Sequence, residues 1–103
     1  MEKSDVLPQA EISEFCRRWR ISELALFGSV LRSDFGPESD LDVLVTFSPE
    51  ANWGLLDLYQ MEQELVTLLG RDVDLLTRRA VQQSRNWLRR REILSTSQVV
   101  YAA

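Results

Sequence analysis

The apolar positions of this chain fall into short, regularly spaced groups separated by polar turns. In residues 6–19, VLPQAEISEFCRRW, Leu7, Ile12, Phe15 and Trp19 lie near helical spacing, and Pro8 is early enough to sit in the first turn of a helix. Residues 23–27, ELALF, then read as a short strand that stops at Gly28-Ser29, with a short helix from Val30 onward. The segment 41–47, LDVLVTF, is the strongest strand signal, rich in Val and Leu and closed by Ser48-Pro49. Residues 53–69 carry Leu55, Leu58, Tyr59, Leu65, Val66 and Leu69 as an apolar stripe interrupted once, by Glu62, and Gly70 is placed to end that helix. Residues 73–77, VDLLT, predict a third strand. Residues 84–94 predict a basic helix with Trp87, Leu88, Ile93 and Leu94 on its apolar side, and residues 98–101 predict a final edge strand. Helices alternating with short strands in this way give an α/β (α+β) chain, a small mixed sheet flanked by helices.

Length and composition narrow the picture. The 103 residues suit one domain, 1–103, and 45% are apolar, enough for a single core. No apolar run approaches the roughly 20 residues of a membrane-spanning helix. The start, MEKSDVLPQAE, is polar and acidic, unlike a signal peptide, so a cytoplasmic protein is expected. One cysteine, Cys16, allows no intrachain disulfide. There is no histidine, which removes Ser-His-Asp and Cys-His triads, histidine metal sites and histidine bases. Any chemistry must rest on carboxylates, hydroxyls and arginines, and carboxylates prefer hard cations such as magnesium. Residues 1–77 carry six Lys/Arg and fifteen Asp/Glu, while residues 78–103 carry six Arg and the single Glu92. The acidic body argues against stable nucleic-acid binding, and the arginine groups Arg17, Arg18, Arg20 and Arg89, Arg90, Arg91 read mainly as solvated helix faces.

One segment concentrates the candidate chemistry. Asp40 and Asp42 open a strand at positions i and i+2, so they share a face and can converge on a cation, while Leu41, Val43 and Val45 turn toward the core. A bare D-x-D is common on solvated surfaces. Gly28-Ser29, separated from Asp40 by ten intervening residues, adds a second feature: a glycine that permits close backbone approach, a hydroxyl, and a helix N-terminus suited to phosphate. Arg32, on the same helical face as Ser29, either meets phosphate charge or makes a surface ion pair. Asp72 and Asp74 present a further acid from the third strand, Asp74 being the better placed. Three carboxylates facing a phosphate cradle suit a two-metal site, with Asp74 as the group that takes the acceptor's proton.

LFGSVLRSDFGPESDLDVLV resembles the G-S-x-x-R-G and S-D-x-D motif of the DNA polymerase beta-like nucleotidyltransferases, and specifically the minimal nucleotidyltransferase (MNT) group. The resemblance spans residues 20–101, including VDLL and the REIL…QVVY segment. It implies a nucleotidyltransferase fold, with Gly28, Ser29 and Arg32 at the triphosphate of ATP. It implies Asp40 and Asp42 on two magnesium ions and Asp74 completing the set. It also implies a HEPN-domain toxin as partner, with AMP transferred to a tyrosine of that toxin. Ser33 replaces the glycine that usually follows the motif arginine. Two rival functions follow from other classes: an antitoxin that neutralises its partner by binding alone, and transfer to a small hydroxylated molecule.

Overall fold

The computed structural model describes residues 8–28 and 40–103. The expected short helix from Val30, together with Ser29, Arg32 and Ser33, lies outside the described residues. The elements run α1 (Gln9–Arg18), β1 (Ile21–Phe27), β2 (Leu41–Phe47), α2 (Leu55–Leu69), β3 (Val73–Thr77), α3 (Arg78–Gln82), α4 (Trp87–Thr96) and β4 (Gln98–Ala102). The strands form one mixed sheet in the order β3-β2-β1-β4. β2 pairs with β3 in parallel, and β1 is antiparallel to both β2 and β4.

Alternation along the strands sends two sets of side chains to opposite faces. Leu24, Leu26, Leu41, Val43, Val45 and Val73 pack against Ile12, Phe15 and Cys16 of α1 and Met61 and Leu65 of α2. Ala25, Phe27 and Leu44 point the other way, onto Val81 of α3 and Ile93 of α4. The parallel β2–β3 pair is covered on both faces, as such pairs usually are. The arrangement is therefore the small mixed sheet flanked by helices that the pattern implies.

Two apolar stripes differ from the sequence reading. α2 buries Met61 and Leu65, with Leu58 partly covered, whereas Leu55 and Tyr59 are 82% and 62% exposed. The helical period is right but its phase is turned toward Met61, because the Glu62 flank meets the edge of the sheet. There the Glu62 carboxylate accepts the Leu75 N–H of β3 at 3.2 Å. The break in the stripe thus satisfies a strand amide on the sheet's open edge. In α4 only Ile93 is buried, while Trp87 and Leu88 are 56% and 63% exposed. The cause is α3, absent from the sequence reading, which fills that face with Val81. Arg90 then ties α4 to the end of α3 by donating to the carbonyls of Gln82 and Ser84, at 3.3 and 3.2 Å.

Helix ends follow their residues. Asn86 caps α4 by accepting the Arg89 N–H at 3.2 Å. Asp57 accepts the Gly54 N–H at the start of α2, 2.9 Å. Gly70 ends α2 in the left-handed conformation, φ 70°, with its N–H on Val66 O at 2.9 Å. Glu64 joins α2 to α1, accepting Arg18 at 3.0 Å and the Trp19 indole at 2.6 Å. Trp53 packs edge-on against Trp19, with ring centroids 5.0 Å apart, and donates to the Trp19 carbonyl at 2.8 Å.

Candidate active site

The topology brings one end of every strand to the same edge of the sheet. β2 and β3 run parallel and begin there, β1 runs against them and ends there, and β4 begins there after α4. The described candidate residues sit on this edge. Asp42 is the cross-strand partner of Phe27, the last residue of β1, and Gly28 follows directly. On its other side Asp42 is in register with Asp74 of β3. Register partners stand about 4.8 Å apart and point to the same face. That face is the one carrying Leu44 and Leu76, toward α3 and α4.

Gly28 and Asp42 are in close contact. The backbone of Gly28 has φ +72°, a left-handed conformation that side-chained residues rarely adopt, and a Cβ added there would overlap the Asp42 carboxylate. The glycine is thus favoured twice: a side chain there would strain the backbone, and the Asp42 carboxylate would have to shift to make room for it. Asp42 is half-buried beneath it, and Asp40 and Asp74 are exposed. Asp40 precedes β2, whose first residue Leu41 donates its N–H to the Asp72 carbonyl at 2.9 Å, fixing the start of β2 against β3.

The structure brings Gly28, Asp42 and Asp74 together by strand register, and places Asp40 two residues before Asp42. It does not draw the three carboxylates into one cluster: among the described residues no group of three or more His, Cys, Asp or Glu side chains is gathered to hold a metal. The donor chemistry still fits magnesium, since hard carboxylate oxygens on one face are what that cation takes. Ser29 and Arg32 lie outside the described residues.

A cleft of about 390 Å³ opens on this edge. Phe27 and Ile93 give it an apolar floor, and Gly28 and Asp42 form one wall. The opposite wall is α4, through Arg89, Glu92 and Thr96. Sequence reasoning assigned Arg89 to a solvated face and gave Glu92 and Thr96 no role. The signal available was the spacing of positions 89, 92 and 96, which puts all three on one side of a helix. The Thr96 hydroxyl donates to the Glu92 carbonyl at 2.6 Å. Away from this edge, burial pushes the Cys16 thiol up to about 12, so it is inert in the folded chain.

The chain belongs to the nucleotidyltransferase domain family, whose model matches residues 11–100. The protein adenylyltransferase MntA of Thermococcus cleftensis is 34% identical over 76 residues, 74% of this chain and 75% of that protein. Solved structures share the fold. A chain of a toxin–antitoxin structure with AMP-PNP matches with a TM-score of 0.71 at 19% identity, over 94% of this chain and 75% of that one. A chain from the complex of tri-AMPylated Shewanella oneidensis HEPN toxin with MNT antitoxin matches with a TM-score of 0.64 at 17% identity, over 99% of this chain and 74% of that one. Among the described residues no helix is long and apolar enough to cross a membrane.

Proposed function

We propose that residues 1–103 form one minimal nucleotidyltransferase domain that transfers AMP from ATP to a tyrosine hydroxyl of a cognate HEPN toxin in the cytoplasm, and so acts as its antitoxin. The observation that carries this reading is the register of Asp42 with Asp74, beside a Gly28 whose missing side chain makes room for the Asp42 carboxylate. The similarity to MntA, named a protein adenylyltransferase, supports the reaction class. The matched structures, described as holding AMP-PNP and an AMPylated HEPN toxin, support the donor and the acceptor.

In this reading Gly28 lets the triphosphate approach the backbone, with Ser29 and Arg32 contacting its phosphates. Asp40, Asp42 and Asp74 would hold two magnesium ions, which neutralise phosphate charge and acidify the acceptor hydroxyl when bound. Asp74 takes the proton from the tyrosine oxygen as that oxygen attacks the α-phosphorus. A new P–O bond to tyrosine forms, the bond between the α-phosphorus and the bridging oxygen breaks, and pyrophosphate leaves with that oxygen. Asp42 lies beside Gly28, where the phosphates arrive, so its charge is the most exposed to substitution.

Asp42→Asn nearly preserves shape and removes one charge. Co-expressed with the toxin, this variant is expected to associate with its partner, leave it without AMP by intact-mass spectrometry, and protect cells poorly. Wild-type transfer should stop in EDTA and return with magnesium. An unmodified toxin fully neutralised by Asp42→Asn would replace catalysis with the rival reading, inhibition by binding alone.

A further inference from the structure

The arginines of the C-terminal third divide into those that hold the fold and those that do not. Arg78 crosses the sheet to Thr46 at 2.9 Å and Glu23 at 3.3 Å. Arg90 fastens α4 to α3 through two carbonyls. Arg89 differs: its backbone N–H is used by the Asn86 cap, but among the described residues no hydrogen bond or ion pair engages its guanidinium. Arg89 lines the cleft together with Gly28 and Asp42.

The charges of the cleft explain what such an arginine can do. Its described lining holds two carboxylates, Asp42 and Glu92, against a single cationic side chain, Arg89. A polyphosphate entering beside Gly28 meets repulsion from both acids. Metal ions held by the acids would offset this on the Asp42 side, and on the α4 side Arg89 is the one described lining residue able to do so. A guanidinium suits the task, because its planar fork pairs with two phosphate oxygens at once and never loses its charge. The apolar floor of Phe27 and Ile93 lowers the local dielectric and strengthens that pairing.

We propose that Arg89 is a nucleotide-binding residue and that α4 is the second wall of the nucleotide cleft, with the guanidinium on the polyphosphate. The assignment rests on the proposed nucleotidyltransferase function. It also gives part of the basic C-terminal excess a task in substrate binding.

The test is calorimetric titration of the full chain with ATP and magnesium, beside a thermal melt, for wild type, Arg89→Gln, Arg89→Lys and Arg91→Gln. Arg91 is exposed on the same helix, carries the same charge and does not line the cleft. Arg89→Gln should weaken ATP binding by about 10- to 100-fold with the melt unchanged, the range expected for losing hydrogen bonds to a charged group. Arg89→Lys should recover part of that loss, and Arg91→Gln should bind as wild type does. Unchanged affinity in Arg89→Gln overturns the assignment and leaves the nucleotidyltransferase reading standing. So does an equal loss in Arg91→Gln, which marks a general charge effect, or an Arg89→Lys variant no tighter than Arg89→Gln. A wild-type protein that binds no ATP overturns both.

Discussion

Gly28 is where conformation and chemistry constrain the same atom. Replacing it by alanine forces a left-handed backbone on a side-chained residue and drives a methyl group into the Asp42 carboxylate. Strain of the first kind alone costs about 1–3 kcal/mol. Gly28→Ala is therefore expected to lower the melting temperature and weaken ATP binding together, whereas Asp42→Asn should remove transfer and leave the melt nearly unchanged. A Gly28→Ala variant with wild-type melting and affinity would show that the glycine is not needed there. At this scale the sequence was informative where type and spacing together restrict the answer. Gly28 had to end a strand, and Asp42 and Asp74 each sit one residue inside a strand whose neighbours are apolar. Arg89 was not legible, because an arginine facing a cleft and one facing water look alike until the axis of α4 is known.

Among the elements, β3 is open to mispairing, since it lies at an edge of the sheet and offers backbone groups to any passing strand. Glu62 occupies one of them by accepting the Leu75 N–H. Truncating this carboxylate leaves a half-covered amide without its acceptor, a loss of about 1–3 kcal/mol. Glu62→Ala should lower the midpoint of urea unfolding and raise the tendency to self-associate, read by denaturation and light scattering. Glu62→Gln, which keeps an acceptor oxygen, should behave close to wild type, and a Glu62→Ala protein as stable as wild type would remove the role. Element order and type were readable for all four described strands and three of the four described helices, because each keeps a consistent period. The phase of α2 and the short α3 were not. Phase depends on which flank of α2 meets the sheet edge, and five residues such as RRAVQ carry too little periodicity to announce a helix.

Over the whole molecule, the two faces of the sheet differ in what they do. One is sealed by α1 and α2 around Ile12, Phe15, Met61 and Leu65, and it holds no described part of the cleft. The other is closed at its centre by Val81 and Ile93 and opens at the strand ends into the cleft. Stability and chemistry are thus largely separated, which is why substitutions at the cleft can be read as functional losses. This division was only partly visible in the sequence: the apolar alternation of β1 and β2 showed two faces, but nothing in it told which helices would seal which face. The sealed face also contains Cys16, fully buried, with its thiol held near 12 against 9.0 for an exposed cysteine. Alkylating reagents attack the thiolate, so at neutral pH the folded chain should be almost unreactive toward iodoacetamide, and urea should release the reaction. Rapid modification of the native protein would contradict the burial of α1. If protection holds, the rate of labelling counts how often the sealed face comes apart, and the lone sulfur becomes a clock built into the chain. Each variant can then be timed in the same tube in which its nucleotide affinity is measured, and a molecule that has lost its substrate can be told from one that has lost its shape.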